Sequence, residues 1–122
     1  MKTREELSRL SDEGVVARTG LIAHGRGEAF DYMLGERTRP FALKAAKVAA
    51  AHLLLARNPV LSVNGNVAAL AGKEMIALSR AVPAKLEVNL FHRSQARIET
   101  VVAHMERLGA KAILGRRATE LI

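Results

Sequence analysis

Apolar residues change their spacing several times along this 122-residue chain, and each change marks an element. Residues 3–13 are polar except for Leu7 and Leu10 on one side, which predicts a short amphipathic helix. Pro40 opens an alanine- and leucine-rich run to about Arg57, and proline suits the first turn of a helix. Apolar side chains on nearly every side of that run predict burial against more than one neighbour. Asn58-Pro59 stops it. Val60-Leu61-Ser62-Val63 then reads as a strand, and Val67, Leu70, Ala71, Met75 and Leu78 return to helical spacing before Pro83. Lys85-Leu86-Glu87-Val88-Asn89-Leu90 is a second strand. Ile98, Val101, Val102, Met105 and Leu108 form the stripe of another helix, with Gly109 placed as its C-terminal cap. Lys111-Ala112-Ile113-Leu114 is a third strand, and Gly115 begins a basic tail. Strand–helix–strand–helix–strand implies right-handed crossovers and a parallel sheet, hence an α/β domain spanning residues 1–122. There is no internal repeat and no low-complexity segment.

The stretch Gly20 to Glu36, GLIAHGRGEAFDYMLGE, departs from these patterns. A glycine inside a helix costs about 1 kcal/mol relative to alanine, so four of them around His24, Arg26, Glu28, Asp31 and Tyr32 argue against simple packing. Two readings stand: a turn between helices, with a helix from about Glu28 to Leu34, or a backbone that lets Arg26 approach an anion as a bidentate donor.

Composition narrows the classes. Hydrophobic residues make up 49% and aromatics 3%, which suits a packed α/β core and excludes a disordered chain. Without cysteine there are neither disulfides nor thiolate metal sites. The N-terminus is charged, with no apolar signal core, and the longest strongly apolar run, residues 48–56, is too short to span a bilayer, so cytoplasmic localisation is the expectation. A net charge of +7 and pI near 10.6 favour anionic partners: nucleic acid, a nucleotide or a phosphorylated metabolite. A basic nucleic-acid-binding module is one alternative, although Phe30, Tyr32, Phe41 and Phe91 are the only rings available for stacking. A dimerising chain without activity is another.

Ligands of open α/β sheets bind beyond the carboxyl ends of the strands, at helix N-termini. Those ends carry Asn64-Gly65-Asn66 after the first strand and Asn89-Leu90-Phe91-His92-Arg93 after the second. Arg93 opposes the dipole of the helix it precedes unless an anion lies between them. Neither a dinucleotide fingerprint nor a P-loop is present: Phe30 stands where a third glycine is required, and Gly72-Lys73 is followed by Glu74. Of the histidines, His52 reads as packing and His104 as exposed. No spacing matches a metal cage, and no nucleophile–base pair stands out. Ser62 reads as a strand residue and Ser94 as a helix N-cap.

GLIAHGRGEAFDYMLGERT, VLSVNGNVAALAGKE and KLEVNLFHRSQARIE together closely resemble the archaeal phosphopantothenate synthetases, or 4-phosphopantoate–β-alanine ligases, in register from about Arg4 to Gly115. The resemblance implies a homodimeric enzyme of coenzyme A biosynthesis with a Rossmann-like three-layer fold, N-terminal helices and a short parallel sheet. It implies ATP, with Mg2+, converted to AMP and pyrophosphate through an acyl-adenylate. Two ATP contacts carry over by motif: Arg4 and Arg26. His24, Gly25, Asn64, Gly65, Asn66, Asn89 and Arg93 are its candidates for substrate or phosphate contact, and Lys73 is a weaker one. The resemblance supplies no catalytic residue and no protein-held metal here. A Ser-His-Pro-Arg segment before Arg4, and further strands with an ATP-contacting segment after residue 122, are expected of the family. The chain therefore reads as an N-terminal portion of the family's enzyme.

Overall fold

The computed structural model describes residues 2–117, so the end of the basic tail lies outside the described residues. The elements run α1 (Lys2–Asp12), α2 (Arg18–Leu34), α3 (Pro40–Leu55), β1 (Val60–Val63), α4 (Gly65–Ala81), β2 (Lys85–Val88), α5 (Gln95–Arg107) and β3 (Ile113–Leu114). The three strands form one parallel sheet in the order β1-β2-β3, with Val60 opposite Lys85 and Leu86 opposite Ile113. The α/β class and the Rossmann-like parallel sheet behind N-terminal helices are as the sequence predicts.

The core lies on one face of that sheet. Leu61, Val63, Leu86 and Val88, alternate residues of β1 and β2, are buried with Ala68 and Ile76 of α4 and Ile98, Val101, Val102 and Met105 of α5. Leu7, Leu10, Val15 and Val16 close the same cluster from α1 and the turn after it. Gly109 has φ +106° and follows α5, as its expected cap role requires.

Three expectations need correction. The glycine-rich segment is not a turn, because α2 is continuous from Arg18 and runs through all of residues 20–27. Helix formers between and after the glycines outweigh the glycine cost, and the helix ends only at Gly35, whose φ of +81° a helix cannot continue. The alanine-rich α3 is not buried: none of its residues falls in the buried class, His52 is exposed, and Leu53 alone among them packs on the core cluster. His104, expected at the surface, is half-buried, and its Nε2 lies 3.3 Å from the Ala68 carbonyl of α4. That contact falls just ahead of Ala71, where φ −136° and ψ 20° kink α4.

Candidate functional site

The turn out of β1 builds the floor of a cleft. Asn64 is the N-cap of α4, and its Oδ1 accepts the Val67 amide at 3.0 Å. Helix geometry then leaves the Gly65 and Asn66 amides without intrahelical acceptors, at the positive end of the helix dipole. Gly65 is a steric requirement, since a Cβ there would sit 2.3 Å from the Val15 carbonyl oxygen. Asn66 Nδ2 donates to the Gly20 carbonyl at 3.0 Å, which ties the first turn of α2 over the start of α4.

That first turn is one wall of the cleft, through Ala17, Thr19, Gly20 and Ala23. Leu90, Phe91 and His92 from the loop after β2 form the other, with Arg97 of α5 beside them. Arg97 Nη1 donates to the His92 carbonyl at 2.7 Å, and Phe91 meets the His92 ring edge-on at 5.4 Å. Phe91 is fully exposed at the mouth. The cleft holds about 320 Å³. A smaller hollow lies next to it, lined by Ser62, Asn64, Asn89 and Phe91. Both open at the carboxyl ends of the strands, where α/β sheets bind ligands.

The structure brings Asn64, Gly65 and Asn66 together in the cleft, and Asn89 into the adjoining hollow. Arg93 turns elsewhere: its Nη2 donates to the Gly115 carbonyl at 3.1 Å, across the loops after β2 and β3. His24 and Gly25 lie on the side of α2 that meets α1. Arg4 Nη1 donates to the Leu21 carbonyl at 2.6 Å and approaches Gly25, in a hollow shared with Glu28, Asp31, Tyr32 and Glu36. His24 Nδ1 is buried without a hydrogen-bond partner, 3.6 Å from Glu28 Oε1. Arg26 is exposed, and helical periodicity sets it on the α2 face that carries Thr19, Gly20 and Ala23, one turn beyond the cleft. The two arginines therefore occupy different faces of α2. Lys73 is exposed on α4, and Ser94 caps α5 by accepting the Arg97 amide at 3.3 Å.

Sequence reasoning missed Thr19, Ala23 and Arg97 as cleft residues, and placed Phe91 in the loop beyond the second strand without giving it a role. The i, i+4 spacing of Thr19 and Ala23 was the available signal, once the segment is seen as helix. Arg97, inside the first turn of a helix, gave none. Among the described residues no group of three or more acidic or histidine side chains converges as a metal site, and no helix is long and apolar enough to cross a membrane.

Chemically, the floor attracts anions through backbone amides, Arg97 adds a fixed cation, and Ala17, Ala23, Leu90 and Phe91 supply an apolar wall. The family model for phosphopantothenate/pantothenate synthetase matches residues 41–122. A 4-phosphopantoate–β-alanine ligase of Methanospirillum hungatei is 51% identical over 113 residues, 93% of this chain and 46% of the relative. Ligases of the same name from Thermococcus onnurineus and Thermococcus kodakarensis are 50% and 49% identical over 120 residues, 98% of this chain and 46% of each relative. The chain thus spans about half the length of the curated relatives it matches, and within that half the correspondence is nearly continuous. By its sequence and by the fold that sequence takes, the chain belongs to the phosphopantothenate/pantothenate synthetase family.

Proposed function

We propose that the chain forms the amino-terminal part of an ATP-dependent ligase that joins the carboxylate of 4-phosphopantoate to the amine of β-alanine. In this reading the carboxylate oxygen attacks the α-phosphorus of ATP and pyrophosphate leaves. The β-alanine nitrogen then attacks the acyl carbon, AMP leaves, and the nitrogen gives up a proton. Such chemistry needs positioned cations and amide donors more than an acid–base pair.

The observation that carries the reading is the pairing, in one cleft, of an anion-accepting helix start with an apolar wall. Phosphopantoate has both characters: charged groups at its ends and a branched hydrocarbon between them. Asn64, Gly65 and Asn66 take the anion, Leu90 and Phe91 face the hydrocarbon, and Asn89 lies beside them. Arg26, one turn out along α2, is assigned to ATP phosphate. Arg4 is assigned to the same nucleotide from the α1 side, with His24 and Gly25 near it. Arg93 acts through the loop it holds by its bond to Gly115. Mg2+ enters as the counter-ion of ATP, held by its phosphates. The enzyme is read as a cytoplasmic homodimer, an assembly supported by exposed Phe30, Tyr32 and Met33 on α2.

The test is thermal unfolding with each substrate. A ligand at a hundred times its Kd adds about 2.7 kcal/mol of stability. ATP and 4-phosphopantoate are each expected to raise Tm, and Arg26→Ala to remove the ATP effect alone. No shift with either ligand, in this chain or in one extended to the length of its relatives, overturns the reading.

A further inference from the structure

Of residues 89–94, all of them described, Leu90 alone is buried, so the loop that walls the cleft has a single apolar anchor. Phe91 and His92 are exposed, and packing does not fix their place. Hydrogen bonds hold the loop from two sides. On the cleft side Arg97 donates to the His92 carbonyl. On the far side the partner is the chain leaving β3.

That chain is placed by its backbone. Register sets Leu86 opposite Ile113 and Glu87 opposite Leu114, so residue 115 arrives beside Val88, the last residue of β2. Position 115 is glycine with φ +89°, and a Cβ there would stand 2.4 Å from the Val88 carbonyl oxygen. Glycine is what lets the chain turn out of the ladder so close to its neighbour. The turn presents the Gly115 carbonyl to Arg93, whose Nη2 donates at 3.1 Å. Next along, the Arg116 carbonyl accepts Gln95 Nε2 at 3.2 Å. The Arg116 guanidinium meets Glu99 Oε2 at 3.2 Å and Glu106 Oε1 at 3.1 Å. Those two carboxylates stand two turns apart on the exposed side of α5, while Ile98, Val101, Val102 and Met105 bury its other side. The bonds thus run from a fixed helix, through residues 115–116, to the loop. Exposed ion pairs add little stability, so the contribution of the Arg116 pairs is geometric.

We propose that Gly115 and Arg116 are positioning residues: with Arg93 they form a strap from α5 that sets where Phe91 and His92 stand, and so how the cleft receives 4-phosphopantoate. The ligand rests on the ligase reading above, whereas the strap itself does not. Arg26, assigned to ATP, lies on α2 and outside the strap. The strap should therefore act on one substrate and not on the other.

Two measurements test this. Backbone amide order parameters from NMR relaxation of the 122-residue chain read the strap without ligand. At Leu90–His92 they are expected to fall from about 0.85 to below about 0.6 in Arg93→Ala and in Arg116→Ala, with β1 and α5 unchanged. Arg93→Lys, which keeps a donor for the Gly115 carbonyl, should restore them. Calorimetric titration, of this chain or of one extended to the length of its relatives, reads the consequence. Arg93→Ala and Gly115→Ala should weaken 4-phosphopantoate about tenfold and leave ATP affinity unchanged. Gly115→Ala alters no charge, so its effect separates positioning from a direct contact between Arg93 and the phosphate. If that variant folds poorly, Arg116→Ala gives the same comparison, because its guanidinium is turned to α5. Unchanged order parameters at 90–92 in Arg93→Ala overturn the proposal, and so does an equal loss of affinity for both ligands. Order parameters that fall as expected, in a protein that binds neither ligand, support the strap and overturn the ligase reading.

Discussion

Gly20 and Gly27 lie two turns apart on one face of α2, yet their surroundings differ completely. A Cβ on Gly20 would stand 2.3 Å from Asn66 Oδ1, whereas one on Gly27 would meet nothing within 4 Å. Gly27→Ala is therefore expected to stabilise the chain by roughly 0.5–1 kcal/mol, the ordinary helix gain. Gly20→Ala is expected to cost about 1–3 kcal/mol, by overpacking and by displacing the Asn66 bond to the Gly20 carbonyl. Urea unfolding of the two variants gives the signs, and equal signs would refute the packing described for α2 on α4. Arg97 poses a different question. Its backbone amide meets Ser94 Oγ while its guanidinium meets the His92 carbonyl beside the cleft. Arg97→Ala keeps the cap and removes the cation. We expect affinity for 4-phosphopantoate to fall about tenfold or more, in line with a charge-assisted bond of ~1.5–3 kcal/mol, with Tm nearly unchanged. Calorimetric titration with unaltered affinity would place the substrate outside this cleft.

At the scale of elements, the two capped helices separate stability from binding. Asn64→Ala and Ser94→Ala each remove a side-chain acceptor from a first turn, at about 1 kcal/mol. Both should shift the urea midpoint similarly. Asn64→Ala alone should also weaken substrate binding, because its turn presents the floor amides, and parallel titrations of the two proteins would show the contrast. The Ser94 cap, the strand at 60–63, the start of the strand at Lys85 and the stripe of α5 were legible in the sequence, because each is set by local spacing and local cap chemistry. The cap role of Asn64 and the end of β2 at Val88, two residues short of the expected Leu90, were not. Nor were the start of α2 and the exposure of α3. Glycine content signals a turn, but whether residues 20–27 stay helical depends on Asn66, 46 residues from Gly20. Apolar residues around α3 state that it needs cover, and they do not state where the cover comes from. The cleft was half legible for the same reason. Asn64, Gly65 and Asn66 follow a strand and could be placed, while Arg97 reaches the site through a carbonyl five residues away and has no pattern of its own.

Over the whole molecule, packing is unevenly distributed, and the chain order makes that testable. Leu7, Leu10, Val15 and Val16 belong to the same buried cluster as the sheet, yet α2 and α3, neither with a buried residue, intervene between them in sequence. Segments with few buried contacts open with little free energy, so proteases find them first. Within the connection between α2 and α3, Arg37 is the available trypsin site, since Arg39 is followed by Pro40 and also donates to the Leu34 carbonyl. Brief digestion at low enzyme concentration is expected to nick the chain after Arg37 before any bond in residues 60–115. The two pieces should then stay together. Each of those four buried side chains contributes about 1.5–3 kcal/mol of burial, together about 6–12 kcal/mol, which brackets the roughly 8 kcal/mol of micromolar affinity before ordering costs are subtracted. The bond from Asn66 to Gly20 and the approach of Val15 to Gly65 add polar and steric fit across the same junction. Gel filtration of the nicked protein should therefore give one peak containing both pieces, with the far-ultraviolet dichroism of the intact chain. Separation of residues 1–37 from the remainder would mean that α1 is not part of the core, and that the wall α2 lends to the cleft is not anchored as described.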